Sequence, residues 1–476
     1  MTETDSLLTM DEILPAVCGA HVLGSGPFSF TSVRTDSRLV EKGSLFVPLA
    51  GEKQDGHAFI PQAAERGASA VFIRMKNFEE DSGFFVEIFK KHPSVHFIAV
   101  ENTLAALQQA AGRYVEQFPR LIKIAVTGSS GKTTVKEMLA SILSRRYSVI
   151  SNKGNLNSET GLPLSVFEIR KEHECGIFEM GMNREHEIAE IAAVFKPRFA
   201  VITNIGTAHI GCLGSREAIA REKANVFNHF HGFGTAVIPY DDDFADFLRE
   251  QAEGKTVLYG KDSETVQYKE DLGLHGTRLS IGGIETVLAL PGKHNYRNAL
   301  AAIALAQVLG LSAEEISQGL QSLVPLSGRG EVIEGAYTVV QDCYNANPDS
   351  MEKSVSFFSS LEVPEGAKKI LVLGDMLELG ADSVRQHEEA GLAAARARAD
   401  MIIFIGTEMK AAFSAAKDAC AKKMIFIEGN SDEAMRKAAL EIRDFSPEHR
   451  KTAVLLKGSR GMGLERITGM LLGEDR

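Results

Sequence analysis

The chain has 476 residues, 44% hydrophobic and 24% charged, with 43 Gly and 14 Pro, which excludes a disordered or fibrous protein. A single core stops growing near about 250–300 residues, so this length predicts about three domains. The 52 Lys and Arg against 63 Asp and Glu leave a net charge of −11, which opposes general attraction to nucleic acid or anionic lipid.

Five scattered cysteines with no C-x-x-C pair read as reduced thiols and exclude a zinc ribbon. The start, MTETDSLLTMDEI, is acidic where a signal peptide would be basic. The longest apolar candidate, 299–311, is interrupted by Gln307 and Gly310 and falls short of the roughly 18 residues of a membrane span. A cytoplasmic protein without membrane insertion is expected.

Apolar, β-branched runs ending at Gly, Asn or Asp alternate with helical spacing, which predicts an α/β fold in three series. The first, residues 1–105, holds FSFTSVRTD, SLFVPLAG, SAVFIR and HFIAV, with the helical AFIPQAAERGA between them. The second, 106–322, opens with IKIAVTG and continues through SVIS, GIFEM, FAVITN and TAVIP, the pattern of a doubly wound, mostly parallel sheet. The third, 323–476, follows the turn-rich SLVPLSGRG with TVVQDCY, ILVLGDM, MIIFIG, MIFIEG and AVLLKGS. Ligands gather at the carboxyl ends of such strands, which makes Asp342, Asp375 and Lys457 candidates, with ordinary turn chemistry as the alternative.

The strongest motif is Thr127-Gly128-Ser129-Ser130-Gly131-Lys132-Thr133-Thr134, directly after the strand IKIAV and before a helix with Val135, Met138, Leu139, Ile142 and Leu143 on its apolar face. Backbone N–H groups and the helix dipole at that start attract phosphate. Lys132 is expected to reach the β/γ-phosphates of a nucleotide triphosphate and the Thr133 hydroxyl to ligate Mg²⁺. The general phosphate-loop pattern has Gly at position 126, where this chain has Val126, so the loop is a shortened variant.

Two more strands of this series end in hard-metal candidates, Glu179 in GIFEMG and His209 in TAHIG, with a strand-end charge and a hydrogen-bonded loop histidine as the alternatives. In REAIAREKANVFNHF, capped by Ser215, Lys223 falls on the same helical face as Ile219 and Phe227. Burial there lowers its pKa towards a neutral amine, which can take up carbon dioxide as a carbamate with oxygen ligands for Mg²⁺. Pairing with Glu222 or Glu217, or snorkelling, is the alternative.

With these residues in place, the chain resembles the Mur ligases. The likeness rests on TGSSGKTT (127–134), KGNLNSETGLPLS (153–165), FEMGMN (178–183), GTAHIGCLGSREAIAREK (206–223), GKHNYRNALAA (292–302), GRGEV (328–332), DCYNANPDSM (342–351), VLGDMLELG (372–380) and LLKGSRGMGLE (455–465), with TDSR (35–38) and GEKQDGHAFI (51–60) nearer the start. The resemblance implies an N-terminal UDP-sugar-binding domain, a central ATPase and a C-terminal Rossmann-like domain. It implies a monomeric, ATP-dependent ligase of peptidoglycan synthesis acting on UDP-N-acetylmuramoyl-tripeptide, and DCYNANPDSM followed by VLGDMLELG points to D-alanyl-D-alanine (D-Ala-D-Ala) as the incoming amine.

Carried over, Lys132, Lys223 and His209 are catalytic; Thr133, Glu179, His209 and Lys223 as its carbamate hold the metal. Asn295, Arg329 and Asp342 join the loop in binding ATP. Asp36, Ser37, Asn157, Thr160 and Asn183 are substrate contacts, with Asn345, Asn347 and Asp349 near the dipeptide end. Two positions depart from the family pattern: His186, where a small residue, usually Gly, is expected, and Asn225, where an acidic one often stands. A sister ligase, a folylpolyglutamate-type ligase and a P-loop switch protein remain alternatives. Ligands divided between two domains imply closure of the C-terminal one, with an open form before substrates bind.

Overall fold

The structure, a computed structural model, describes residues 6–24, 26–51, 54–261, 265–446 and 452–473. The first five residues of the acidic start, and Glu52 and Lys53 of the 51–60 stretch, lie outside this set.

Each series builds its own main sheet. In the first, His21–Leu23, His96–Val100, Ala70–Arg74, Ser44–Phe46 and Ser32–Arg34 lie in that order, parallel except for the antiparallel edge strand His21–Leu23. In the second, six parallel strands run Gly254–Tyr259, Gly234–Pro239, Phe199–Ile202, Ile122–Thr127, Cys175–Glu179 and Val149–Ser151. Chain order reverses around the central strand Ile122–Thr127, which is where a doubly wound sheet opens a crevice for ligands. The third orders Glu331–Glu334, Thr338–Asp342, Thr452–Lys457, Lys368–Gly374, Met401–Ile405 and Lys423–Ile427, with only the first strand antiparallel.

Both faces of the central sheet are covered, which is why its inner strands are largely apolar rather than alternating. One face packs on the helices Lys132–Leu143 and Lys293–Val308 and on an antiparallel trio, Val266–Asp271, Thr277–Ile281 and Ile284–Leu288, that the sequence patterning did not reveal. The other face shares a core with the first sheet: Phe72 and Ile98 cluster with Phe178 and Ala200. The helix Thr103–Val115 lies in that shared core and straddles the expected boundary at 105/106. The third sheet has separate cores on its two faces. All five cysteines are free, and among the described residues no helix is long and apolar enough to cross a membrane.

Candidate active site

The phosphate loop leaves the central strand between two neighbours that hold it in shape. Val126 is fully buried inside the strand, so the turn falls to Gly128, whose φ of 147° and contact with the Thr203 hydroxyl leave no room for a Cβ. Asn204, at the adjacent strand end, accepts from the backbone N–H of Ser129 (3.0 Å) and, through Oδ1, from that of Ser130 (3.2 Å). Thr127 donates its hydroxyl to the Met180 carbonyl at 2.8 Å and shapes the loop from below. Lys132 opens the helix Lys132–Leu143, donates to the Gly128 carbonyl at 2.9 Å, and is held below its ordinary pKa chiefly by burial. The five residues predicted for the apolar face, Val135, Met138, Leu139, Ile142 and Leu143, are all fully buried.

Oxygen donors collect beside the loop. The Thr133 hydroxyl donates to Glu179 Oε2 at 2.5 Å, and Asn157 Nδ2 donates to Glu179 Oε1 at 2.7 Å. Asn152 grips the Glu179 backbone on both sides, accepting its N–H at 2.9 Å and donating to its carbonyl at 3.0 Å, while Lys136 Nζ donates to the Asn152 carbonyl at 2.6 Å. His209 lies in the left-handed region (φ 64°) with Nδ1 3.6 Å from Glu378 Oε2. Burial, reinforced by Lys132 and Lys223, drops its pKa from 6.5 to about 3, so the imidazole is neutral and its lone pair is free to ligate.

Lys223 sits as the helical spacing requires, 1% exposed on a helix capped by Ser215, whose Oγ accepts from Ala218 N at 3.1 Å. Its Nζ lies 3.8 Å from Met182 Sδ and, among the described residues, forms no ion pair. Glu222 is otherwise engaged, accepting from the backbone N–H groups of His186 and Ile188 at 2.8 Å each and from Asn225 Nδ2 at 3.1 Å. Burial and then Lys132 push the Lys223 amine well below its ordinary pKa, outweighing Glu222 and Glu179. Asn225 thus braces Glu222, and His186, with φ 66°, occupies a turn that favours Gly.

Among the described residues no three His, Cys, Asp or Glu side chains form a ready-made metal cluster. The Thr133 hydroxyl and Glu179 carboxylate, with neutral His209, fit a hard divalent ion that takes its remaining ligands from phosphate and water.

A cavity of about 790 Å³ connects this centre to the third sheet. Its walls include Ser129 to Thr134, Asn157, Glu179, Asn183, His209, Asn295, Arg329, Asp342, Asn345 and Asn347. Asn295, 4% exposed, donates to the Pro291 carbonyl at 2.9 Å and accepts from Asn298 at 3.2 Å. Asp342 accepts from Ser354 Oγ at 2.5 Å and pairs with Lys457 at 3.1 Å, and the Arg329 guanidinium lies 4.0 Å from the Tyr344 ring centre.

The C-terminal unit is docked against the central one beside the phosphate loop. Asn347, the cap of helix Pro348–Ser360, donates to the Ser129 carbonyl at 3.4 Å, and Asp349 accepts from both the backbone and hydroxyl of Thr207. Asp349 comes so close to Gly206 that a Cβ there would overlap its carboxylate. Asp349 is therefore a docking contact and is not a wall of the cavity.

Other expected residues stand apart from the cavity. Asp36 caps the turn Ser37–Leu39 and pairs with Arg38 at 2.7 Å; Ser37 donates to Gln62 at 2.6 Å; Thr160 precedes the helix Gly161–Val166. Asp375 proves to be turn chemistry, its carboxylate accepting from Thr407 N at 2.9 Å and Met409 N at 2.8 Å. Sequence reasoning assigned no role to Asn204, Asn152, Glu378 or Arg460, although the last two fall in the quoted segments VLGDMLELG and LLKGSRGMGLE.

Comparison with known proteins agrees with this architecture. Residues 29–115 match "Mur ligase family, catalytic domain", 126–306 match "Mur ligase middle domain" and 328–460 match "Mur ligase, glutamate ligase domain". The chain is 40% identical to a UDP-N-acetylmuramoyl-tripeptide–D-alanyl-D-alanine ligase of Treponema pallidum over 98% of its own length and 100% of that protein. The crystal structure of MurF from Acinetobacter baumannii is similar with a TM-score of 0.83 and 31% identity, covering 97% of this chain and 98% of that one. The MurF ligase of Thermotoga maritima in complex with ADP gives a TM-score of 0.78 at 28% identity, covering 93% and 97%.

Proposed function

The chain belongs to the Mur ligase family, and we propose that it is the ATP-dependent ligase that joins D-Ala-D-Ala to the free carboxylate of UDP-N-acetylmuramoyl-tripeptide, forming the UDP-muramoyl-pentapeptide of peptidoglycan synthesis. The observation that carries this reading is the contact of Asn347 with Ser129: the phosphate loop and the 342–350 segment share one cavity, so a phosphoryl donor and an incoming amine can meet.

Amide formation from a free carboxylate is uphill in water, so the carboxylate is activated first. A carboxylate oxygen of the tripeptide bonds to the γ-phosphorus as the bond to the β,γ-bridging oxygen breaks, giving an acyl phosphate and ADP. The neutral amine of the dipeptide then attacks the acyl carbon and loses a proton, and phosphate leaves with the electrons of the C–O bond.

Lys132 and the N–H groups of residues 131–134 meet the phosphate charge at the helix start, and Arg329 approaches from the next linker. Thr133, Glu179 and His209 are the residues that would hold Mg²⁺, which when bound supplies neutralisation of the triphosphate oxygens. Lys223 is suited to carbamylation: burial biases its amine towards the neutral form, which bonds to the carbon of CO₂ and releases a proton to water, turning a buried base into a carboxylate-like donor. Acyl phosphates hydrolyse, and docking of Asp349 on Thr207 closes the C-terminal unit over the centre.

The reading extends to a cytoplasmic monomer working on small molecules, and the net charge of −11 supports the absence of nucleic acid from its partners. The test is phosphate release with product analysis by mass spectrometry. Release that requires both UDP-N-acetylmuramoyl-tripeptide and D-Ala-D-Ala, with the joined peptide formed, is the expected result. ATP turnover indifferent to both, with no joined product, rejects it in favour of a switch protein.

A further inference from the structure

Several cations of the large cavity already have a partner or a role. Lys132 serves the phosphate loop, Lys457 pairs with Asp342 at 3.1 Å and donates to the Asn345 carbonyl at 2.8 Å, and Arg297 pairs with Asp241. Arg460 differs. Its side chain lines the same cavity and, among the described residues, forms no ion pair. It lies 5.2 Å from the centre of the Tyr344 ring, the ring that Arg329 also approaches.

The backbone that carries Arg460 is firmly held. Ser459 donates its N–H to the Asp375 carbonyl at 3.0 Å and accepts, through its hydroxyl, from Leu377 N at 2.9 Å; Asn430 donates to the Gly461 carbonyl at 2.8 Å. A fixed platform with an unmatched guanidinium on an aromatic ring is pre-organised to receive a planar anion in two parallel hydrogen bonds. The same platform holds Leu377, and the adjacent Glu378 reaches across to His209. The guanidinium thus belongs to the wall that faces the reaction centre from the C-terminal side, and an extended dipeptide spans about 7 Å between its ends.

The incoming dipeptide carries one carboxylate that takes no part in the reaction and must be held so that its amine points at the acyl carbon. We infer that Arg460 binds the terminal carboxylate of the incoming dipeptide and so selects an amine substrate with a free C-terminus. This rests on the proposed reaction, since without a dipeptide acceptor the site has no such carboxylate to bind.

The experiment measures KM for each of the three substrates with the full chain, Arg460→Gln and Arg460→Lys, and repeats it with D-alanyl-D-alanine amide, which lacks the carboxylate. Loss of a charge-assisted pair predicts a roughly 10- to 100-fold rise in dipeptide KM for Arg460→Gln, a smaller rise for Arg460→Lys, and an ATP KM within about twofold of the parent. The parent strongly prefers dipeptide over amide, and Arg460→Gln loses that preference. An unchanged dipeptide KM, an equal loss for dipeptide and amide, or a rise confined to the ATP KM overturns the assignment while leaving the ligase reaction standing. A parent chain that joins no dipeptide overturns the proposed reaction and this inference together.

Discussion

Asp349 accepts two hydrogen bonds from Thr207, one from the backbone N–H at 2.6 Å and one from the hydroxyl at 3.0 Å, across 142 residues of sequence. Thr207 lies two residues before His209, so this one carboxylate ties the C-terminal unit to the loop that carries a metal-binding candidate. The contact also couples the start of helix Pro348–Ser360 to the phosphate loop, where Asn347 reaches Ser129.

Asp349→Ala removes that tie without touching a core. Because the third sheet keeps its own two cores, the melting temperature stays near the parent value. The docked arrangement loses two hydrogen bonds donated to one carboxylate oxygen, together of order 1.5–3 kcal/mol at this part-exposed contact, so kcat falls roughly 10- to 100-fold. Small-angle scattering is expected to show a larger radius for the variant; a variant as compact and as active as the parent refutes the docking role.

Lys223→Ala is expected to lose at least about 100-fold in turnover, the scale of removing one electrostatic group from a reaction centre. Formate or acetate, small enough to enter the vacated space, restores part of it if the missing group is carboxylate-like. Intact-mass measurement after bicarbonate incubation provides an independent check, the parent gaining one CO₂ and the variant none. Turnover of the variant that ignores both bicarbonate and short carboxylates rules the carbamate out.

His209 makes acid sensitivity measurable. Its folded pKa, about 3, lies below the ordinary 6.5 of an unfolded chain, so between those values the unfolded state binds the extra proton. The stability held above pH 6.5 is therefore lost as pH falls towards 3, at up to about 1.4 kcal/mol per pH unit. His209→Gln cannot take up that proton, so urea midpoints at pH 7 and pH 4.5 are expected to differ less for this variant than for the parent. An equal difference in both chains contradicts the buried neutral imidazole.

His186 holds φ at 66° with its side chain exposed, a conformation that costs a non-Gly residue about 1–2 kcal/mol. Glycine removes that cost but gives back about 0.5–1 kcal/mol as unfolded-state entropy. His186→Gly is thus expected to stabilise the fold by about 0.5–1 kcal/mol in chemical denaturation, since the backbone N–H that Glu222 accepts is retained.

What the amino-acid order determined by itself was local. The phosphate loop, the apolar face of Val135 to Leu143 and the burial of Lys223 follow from spacing along one strand or one helix turn, because chain stereochemistry fixes which neighbours share a face. Tertiary structure decided what touches across the cleft. Glu378 against His209, Asp349 on Thr207 and the unmatched Arg460 join segments far apart in sequence, where no periodicity constrains which partner arrives. Asp375 shows the converse: at a strand end equivalent in sequence to that of Asp342, its carboxylate is taken up by two backbone N–H groups of a neighbouring turn, and only the packing of that turn distinguishes the two. Hydrogen bonds and charge pairs form wherever folding brings complementary groups within about 3 Å, so the membership of the site was settled by the meeting of sheets rather than by any stretch of chain.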